Sequence, residues 1–316
     1  MMIRPLHATD ALSMAAFLAR GAGRELAAET WPRTPPESRR PTFGGLIFGA
    51  LFPSPRDRTV GLARSNGRLS GLVVAPARVS GLVWDVEHLR SDDHSTAVEL
   101  LRWIGQRARE VRAHRVFIDT QDGATGAEIA SRAGFERYSE GVTYRLSPGF
   151  PRDPVDTVPA RPRLRSDDQP LFQLYSAAVP ANVRAAEAMT HEEWAALYPG
   201  RKPWTPAILG NRQDYVWEMG SRVAGWMRVV YGQRSQFLEL IVHPSYEAYV
   251  DRMVRYALVQ MSTKAPVLID VREYQGALRI ALERAGFRAV ESYAVWVLQL
   301  AERVAEPKIA VAHVPA

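Results

Sequence analysis

The sequence predicts an α+β (mixed α/β) protein of two tandem domains, each a mixed, mostly antiparallel central sheet flanked by helices. Three observations carry this. Ala-Gly-Phe occurs at Ala133 and again at Ala285, 152 residues apart, each time between an apolar-periodic helix and an alternating strand. A nearly all-apolar run, Val116-Phe117-Ile118-Asp119, returns as Val267-Leu268-Ile269-Asp270 at an offset of 151. Between the copies, Pro148, Pro151, Pro154, Pro159 and Pro162 crowd one stretch, which resists helix and interior strand alike. A repeat unit this long is a domain, not a solenoid module. The expected boundaries are 1–147 for the N-terminal domain, 148–162 for the linker, 163–300 for the C-terminal domain and 301–316 for a tail.

In the first half, Ile3 to Leu6 reads as a strand, and Thr9 or Asp10 caps a helix to about Arg20. Prolines at 32, 35, 36 and 41 exclude a continuous helix through the next stretch. Phe43 to Phe52 reads as a short buried helix weakened by glycines. Thr59–Ala63 and Leu69–Ala75 flank Asn66-Gly67, a hairpin signal because Asn-Gly suits the type I′ turn. A third strand spans Val79 to Leu89. Val98, Leu101, Ile104, Ala108 and Val111 place one apolar stripe on a helix over Ser95–Val111. The run from Val116 suits a strand buried on both faces. A helix to Arg132, the Gly134 stop and a last strand complete the half.

The second half repeats the order. Arg163–Arg165 is a strand and Asp167 or Asp168 a cap. Strands over Asp214–Met219, Val223–Tyr231 and Gln236–Val242 precede a helix over Ala248–Met261. Gly71 pairs with Gly225 at an offset of 154.

Composition excludes several classes. An apolar share of 47% with 23% charge is that of a soluble globular chain. Without cysteine there are no disulfides, thiolate metal sites or cysteine nucleophiles. The start lacks the basic-then-apolar pattern of a signal peptide, and the longest apolar run is about half a membrane span. A cytoplasmic protein without a membrane partner is expected. The net charge is +6, and the only lysines are Lys202, Lys264 and Lys308. Arginine's fork suits phosphate, but a GC-rich genome is the plainer account. No Lys/Arg block points to nucleic acid. The apolar tail is expected to dock on the other half or on a second subunit.

The order of elements, LELIVHP at Leu238–Pro244, and the two segments from VFID and VLID through AGF to the last strand resemble the GNAT (GCN5-related N-acetyltransferase) superfamily over nearly the whole chain. The resemblance implies that the fourth strand (Val83–Leu89, Gln236–Val242) and the fifth (Val116–Asp119, Val267–Asp270) splay apart. The pantetheine arm of an acyl-CoA lies between them, and the acyl group passes directly to an amine of a small molecule or peptide. It implies acetyl-CoA as co-substrate, no metal, and cofactor contacts from Leu240, Ile241, Val242, His243, Tyr249 and Val250.

The chain departs from the family in two places. The family's Q/R-x-x-G-x-G/A loop lays pyrophosphate on bare N–H groups at a helix N-terminus. No glycine lies between Gly81 and Gly105 or between Gly232 and Gly276. The matching windows are RSDDHSTAVE, where Asp92 and Asp93 repel a pyrophosphate, and EAYVDR, with Val250 and Arg252 at glycine positions. The family's tyrosine acid is replaced by Ala130 and Leu282. Tyr274 is the substitute acid. Glu239 is the candidate base in the second half, Asp85 or Glu87 in the first, and His243 is an alternative that also serves as plain loop chemistry. The second half is the expected working half. The alternative reading is a catalytically degenerate pair that binds a ligand or partner, or an acyltransferase using an aminoacyl donor.

Overall fold

The computed structural model describes residues 1–19, 24–25, 58–78, 81–121, 123–151, 158–198, 212–232 and 234–300. The expected helix over Phe43–Phe52, the middle of the linker and the tail lie outside these residues. The first half opens with β1 (Met2–Pro5), α1 (Ala11–Ala19) and β2 (Arg24–Glu25). The hairpin of β3 (Arg58–Ser65) and β4 (Arg68–Pro76) follows. Asn66 and Gly67 both have positive φ, 50° and 75°, as the type I′ turn requires.

The next segment differs from expectation. It forms two strands, β5 (Val83–Asp85) and β6 (His88–Ser91), in separate sheets. Val86 N–H donates to Phe117 O at 2.8 Å and Glu87 N–H to Val74 O at 2.9 Å. Adjacent residues therefore bond in opposite directions, and the strand crosses from one sheet to the other. The half ends with α2 (His94–Glu110), β7 (Arg115–Gln121), α3 (Ala124–Arg132) and β8 (Glu136–Leu146).

The second half comprises β9 (Ala160–Pro162), α4 (Asp168–Ala178), α5 (Ala181–Glu187) and α6 (His191–Leu197). A meander of β10 (Arg212–Met219), β11 (Arg222–Tyr231) and β12 (Gln236–Val242) comes next. Then come α7 (Val250–Gln260), β13 (Val267–Arg272), α8 (Gly276–Arg284) and β14 (Arg288–Gln299). Among the described residues no helix is long and apolar enough to cross a membrane.

The repeat is visible in local chemistry. Gly134 and Gly286 stop α3 and α8 at φ 93° and 89°, the left-handed region that ends a helix without a Cβ penalty. A Cβ on Gly71 would meet Leu100 Cδ1 of α2 at 2.8 Å, and one on Gly225 would meet Met253 Sδ of α7 at 2.8 Å. Each glycine thus admits the helix that covers its strand. Arg4 clamps Asp10 through two bonds of 2.8 and 2.6 Å, and Arg161 clamps Asp167 through two of 2.8 Å. Both pairs span six residues, and both carboxylates also accept a backbone N–H three residues upstream, from His7 and Leu164.

The halves exchange their last strands. The nine-stranded sheet runs β5-β7-β14-β8-β13-β12-β11-β10-β9. β14, from the second half, pairs with β7 of the first, while β8, from the first, pairs with β13 of the second. Packing follows: Trp296 of β14 belongs to the first half's core, and Tyr144 and Leu146 of β8 to the second's. Burying one such side chain contributes about 1.5–3 kcal/mol, so the exchange couples the stabilities of the two halves.

Candidate functional site

The site follows from how β12 loses its partner. β12 and β13 pair in parallel only at Gln236↔Val267 and Phe237↔Leu268. Beyond that point β12 stays with β11 as far as Val242↔Gly225. β13 stays with β8 as far as Arg272↔Gly141. The two strands diverge, and a cleft of about 980 Å³, open mouth included, occupies the wedge.

Side-chain alternation along β12 sorts its walls. Leu238 and Leu240 belong to the core shared with α7 and α8. Ile241 packs on the opposite cluster with Leu171, Trp194 and Trp226. Glu239 therefore points to the α4 side, where it lines the cleft with Tyr274, Tyr175, Glu187, Asp270 and Arg272. At the mouth stand Val242, Pro244 and Glu247.

The inner wall is polar and almost dry. Tyr175 donates to Glu187 Oε2 at 2.6 Å. Burial, and then the Glu187 charge, push the Tyr175 phenol far above its usual range. Burial likewise raises Tyr274, so its hydroxyl stays protonated at neutral pH. Arg272 is 4% exposed, with its guanidinium 5.5 Å from the Tyr293 ring. Burial alone would lower Arg272, but Tyr293, Tyr138 and Asp119 outweigh it and hold the side chain charged. Glu239 sits 3.9 Å from Arg228 Nη1, and Arg228 also bonds Asp214 at 2.8 Å. Asp270 accepts from Thr143 Oγ1 of β8 at 2.6 Å, because the exchanged strand places that hydroxyl opposite it.

The cleft brings together Glu239, Tyr274, Leu240, Ile241 and Val242 of the residues singled out from sequence. His243, Tyr249 and Val250 lie outside its lining. His243 caps the short turn from Pro244, with Nδ1 accepting from Ser245 N–H at 3.2 Å. Tyr249 packs on Trp217 at 5.4 Å between centroids, and Val250 is 2% exposed in the core. Arg272, Gln275, Tyr175 and Glu187 were not singled out. Arg272 had one signal: a charge two residues past Asp270 on the same face of a buried strand.

In the first half the fourth strand also diverges from the fifth: β5 pairs with β7 as far as Asp85↔Phe117, and β6 then stays with β4. Val86, Ile118, Ile129 and Trp296 pack there in one apolar cluster. Asp85 is clamped by Arg78 at 2.7 and 2.8 Å. At the start of α2 the Asp93 carboxylate already takes the Thr96 N–H at 2.8 Å. That bond and those from Ser95 and Thr96 hold the carboxyl below its ordinary range. The Thr96 N–H at the start of α2 is thus already taken by a carboxylate of the same chain. Ala130 and Leu282, which replace the family's tyrosine, are both fully buried.

Neither a protein-family model nor a curated protein sequence matches the chain. Solved structures do. A tandem GNAT protein from the clavulanic acid biosynthesis pathway, solved without AcCoA, is 17% identical with a TM-score of 0.55, covering 95% of this chain and 99% of its own. A GCN5-related N-acetyltransferase from Sphaerobacter thermophilus is 13% identical with a TM-score of 0.55, covering 95% and 96%. A putative acetyltransferase from Pyrococcus horikoshii is 13% identical with a TM-score of 0.53, covering 94% and 89%. With the paired repeats, the splayed fourth and fifth strands and these likenesses together, the chain has the GNAT fold in tandem.

Proposed function

We propose that the second half is an N-acyltransferase site that moves an acyl group, acetyl in the simplest case, from a CoA thioester to an amine. The single observation that supports this most is the cleft itself. It runs between the diverging strands from Val242 and Glu247 at the mouth to Glu239 and Tyr274 inside. A donor threaded from the mouth meets an acceptor on the α4 side.

In this reading the amine nitrogen attacks the thioester carbonyl, the C–N bond forms and the C–S bond breaks. Glu239 accepts the proton lost by the amine, directly or through water. Tyr274, kept protonated by burial, donates to the departing thiolate. Arg272 provides a fixed positive charge beside the reacting carbonyl.

One observation favours a second reading, a binding-only pair or a donor other than CoA. Glu247 stands at the mouth, and Asp251 is in the first turn of α7. Both disfavour a pyrophosphate. A thermal-shift titration with acetyl-CoA separates the two, because a ligand of the native state raises the melting temperature by mass action. No shift at millimolar acetyl-CoA removes the first reading. Where binding is seen, Glu239→Gln and Tyr274→Phe are each expected to lower turnover about 10²-fold or more while binding persists. Full turnover in Glu239→Gln would remove that residue as base.

A further inference from the structure

Inside the wedge, the backbone groups that β12 and β13 no longer share are partly taken up by one side chain. His243 N–H bonds Ala224 O of β11. By the alternation of an antiparallel ladder, Ile241 and Glu239 also face β11, and Leu240 turns its N–H and C=O into the wedge. On the other wall, Glu273 N–H bonds Glu140 O of β8, so Arg272 turns its N–H inward. The Gln275 carboxamide lies between them. Its Nε2 donates to Leu240 O at 3.2 Å, and its Oε1 accepts from Arg272 N–H at 2.9 Å. One amide thus donates to one strand and accepts from the other, as a peptide group of an inserted strand does.

Gln275 is not tied to its own helix by its side chain. It is the N-cap residue of α8, but its side chain makes no capping bond there. A second cavity of about 600 Å³, open solvent included, is lined by Gly276, Arg279 and Glu140, and Gln275 lines both cavities. The carboxamide has somewhere to go.

We infer that Gln275 is a built-in occupant of the donor slot, and that the acyl donor binds by displacing its carboxamide with one of the donor's own amides. The inference rests on the acyl-CoA reading of the cleft. Each secondary amide of pantetheine has one N–H and one C=O, so a single one restores both bonds that Gln275 gives up. A ligand without an amide at that depth cannot. Gln275 therefore selects for amide-bearing donors and holds the slot together when empty.

The test uses the full chain and two probes, CoA and adenosine 3′,5′-bisphosphate, which shares the nucleotide but lacks pantetheine. Gln275→Ala removes the competing amide. Gln275→Ser does the same while supplying a capping hydroxyl to α8, which protects the fold. Both variants are expected to bind CoA about tenfold more tightly than wild type, two modest hydrogen bonds no longer having to be broken. Affinity for the bisphosphate should not change, and the ligand-free variants should melt lower. Binding of CoA by the variants alone also supports the inference. Unchanged or weaker CoA binding by the variants, with wild type binding, overturns it and leaves the acyl-CoA reading standing. Equal gains for both probes overturn it as a general loosening. If neither wild type nor variants bind CoA, the inference and the acyl-CoA reading fall together.

Discussion

Arg228 is the place where a single change should cost most. It lies mid-strand in β11 at 2% side-chain exposure, with Asp214 at 2.8 Å and Glu239 at 3.9 Å. Burial by itself would lower its pKa, but the two carboxylates raise it, so it stays charged in the core. Asp214→Ala removes the nearer partner and its hydrogen bond to Nε. Breaking one side of a buried pair typically costs about 3–5 kcal/mol, because the remaining charge is left in a dry site. Here Glu239 remains, and at its distance an opposite charge is worth about 4 kcal/mol at an effective dielectric near 20. The expected loss therefore falls at the low end, about 3 kcal/mol. For a chain of this size that is about a 4–5 °C fall in melting temperature, read by calorimetry or circular dichroism. The double variant Asp214→Leu/Arg228→Met should regain most of it, since a buried ion pair is replaceable by apolar groups of similar volume. A loss below about 1 kcal/mol in Asp214→Ala would refute the claim that Arg228 is a buried charge held mainly by Asp214.

Two further outcomes follow from geometry. Gly141 of β8 faces Tyr293 so closely that an added Cβ would lie 2.5 Å from the ring carbon Cζ and 2.7 Å from Val271 O. Gly141→Ala should cost about 1–3 kcal/mol as overpacking and disturb the Tyr293–Arg272 contact, with a lower melting temperature and weaker ligand binding as readouts. Burial tends to raise Asp10 and Asp167, but the Arg4 and Arg161 clamps outweigh it and hold both carboxyls below 3.8. A carboxyl depressed in the folded state contributes stability above its unfolded pKa and loses it as pH falls through the folded one. Asp10→Asn and Asp167→Asn should therefore be less stable than wild type at neutral pH. The gap should close as acid unfolding is followed below pH 3.8, and a gap independent of pH would refute the clamp.

Much of the architecture was legible. The two Ala-Gly-Phe stops, the Asn66-Gly67 turn and the apolar stripe of α2 are local signals, each fixed by one residue's conformational needs or by a 3.6-residue period. LELIVHP marked the strand that carries Glu239 and the apolar wall of the cleft. Sequence placed Asp92 and Asp93 where their charge opposes a pyrophosphate; that the Asp93 carboxylate also takes the Thr96 N–H at the start of α2 is visible only in the structure. The expected cofactor contacts at Tyr249 and Val250 came from position in a family loop; that the Tyr249 ring lies against Trp217 and the Val250 side chain is buried is read only from the structure.

Sequence by itself determined the duplication, the order of elements within each half apart from the division of the Val79–Leu89 strand into β5 and β6, and the loss of the glycine loop, because these are written in spacing and residue type. Tertiary structure decided that β8 and β14 change places, that Arg228 and Arg272 are buried, and that Gln275 bridges the wedge. Strand partnership is a long-range choice. β8 and β14 follow the same Ala-Gly-Phe stop in their own halves, and that local signal says nothing of whether β7 or β13 is the partner. The wedge between β12 and β13 is defined by hydrogen bonds that are not made, and those have no signature in a linear chain.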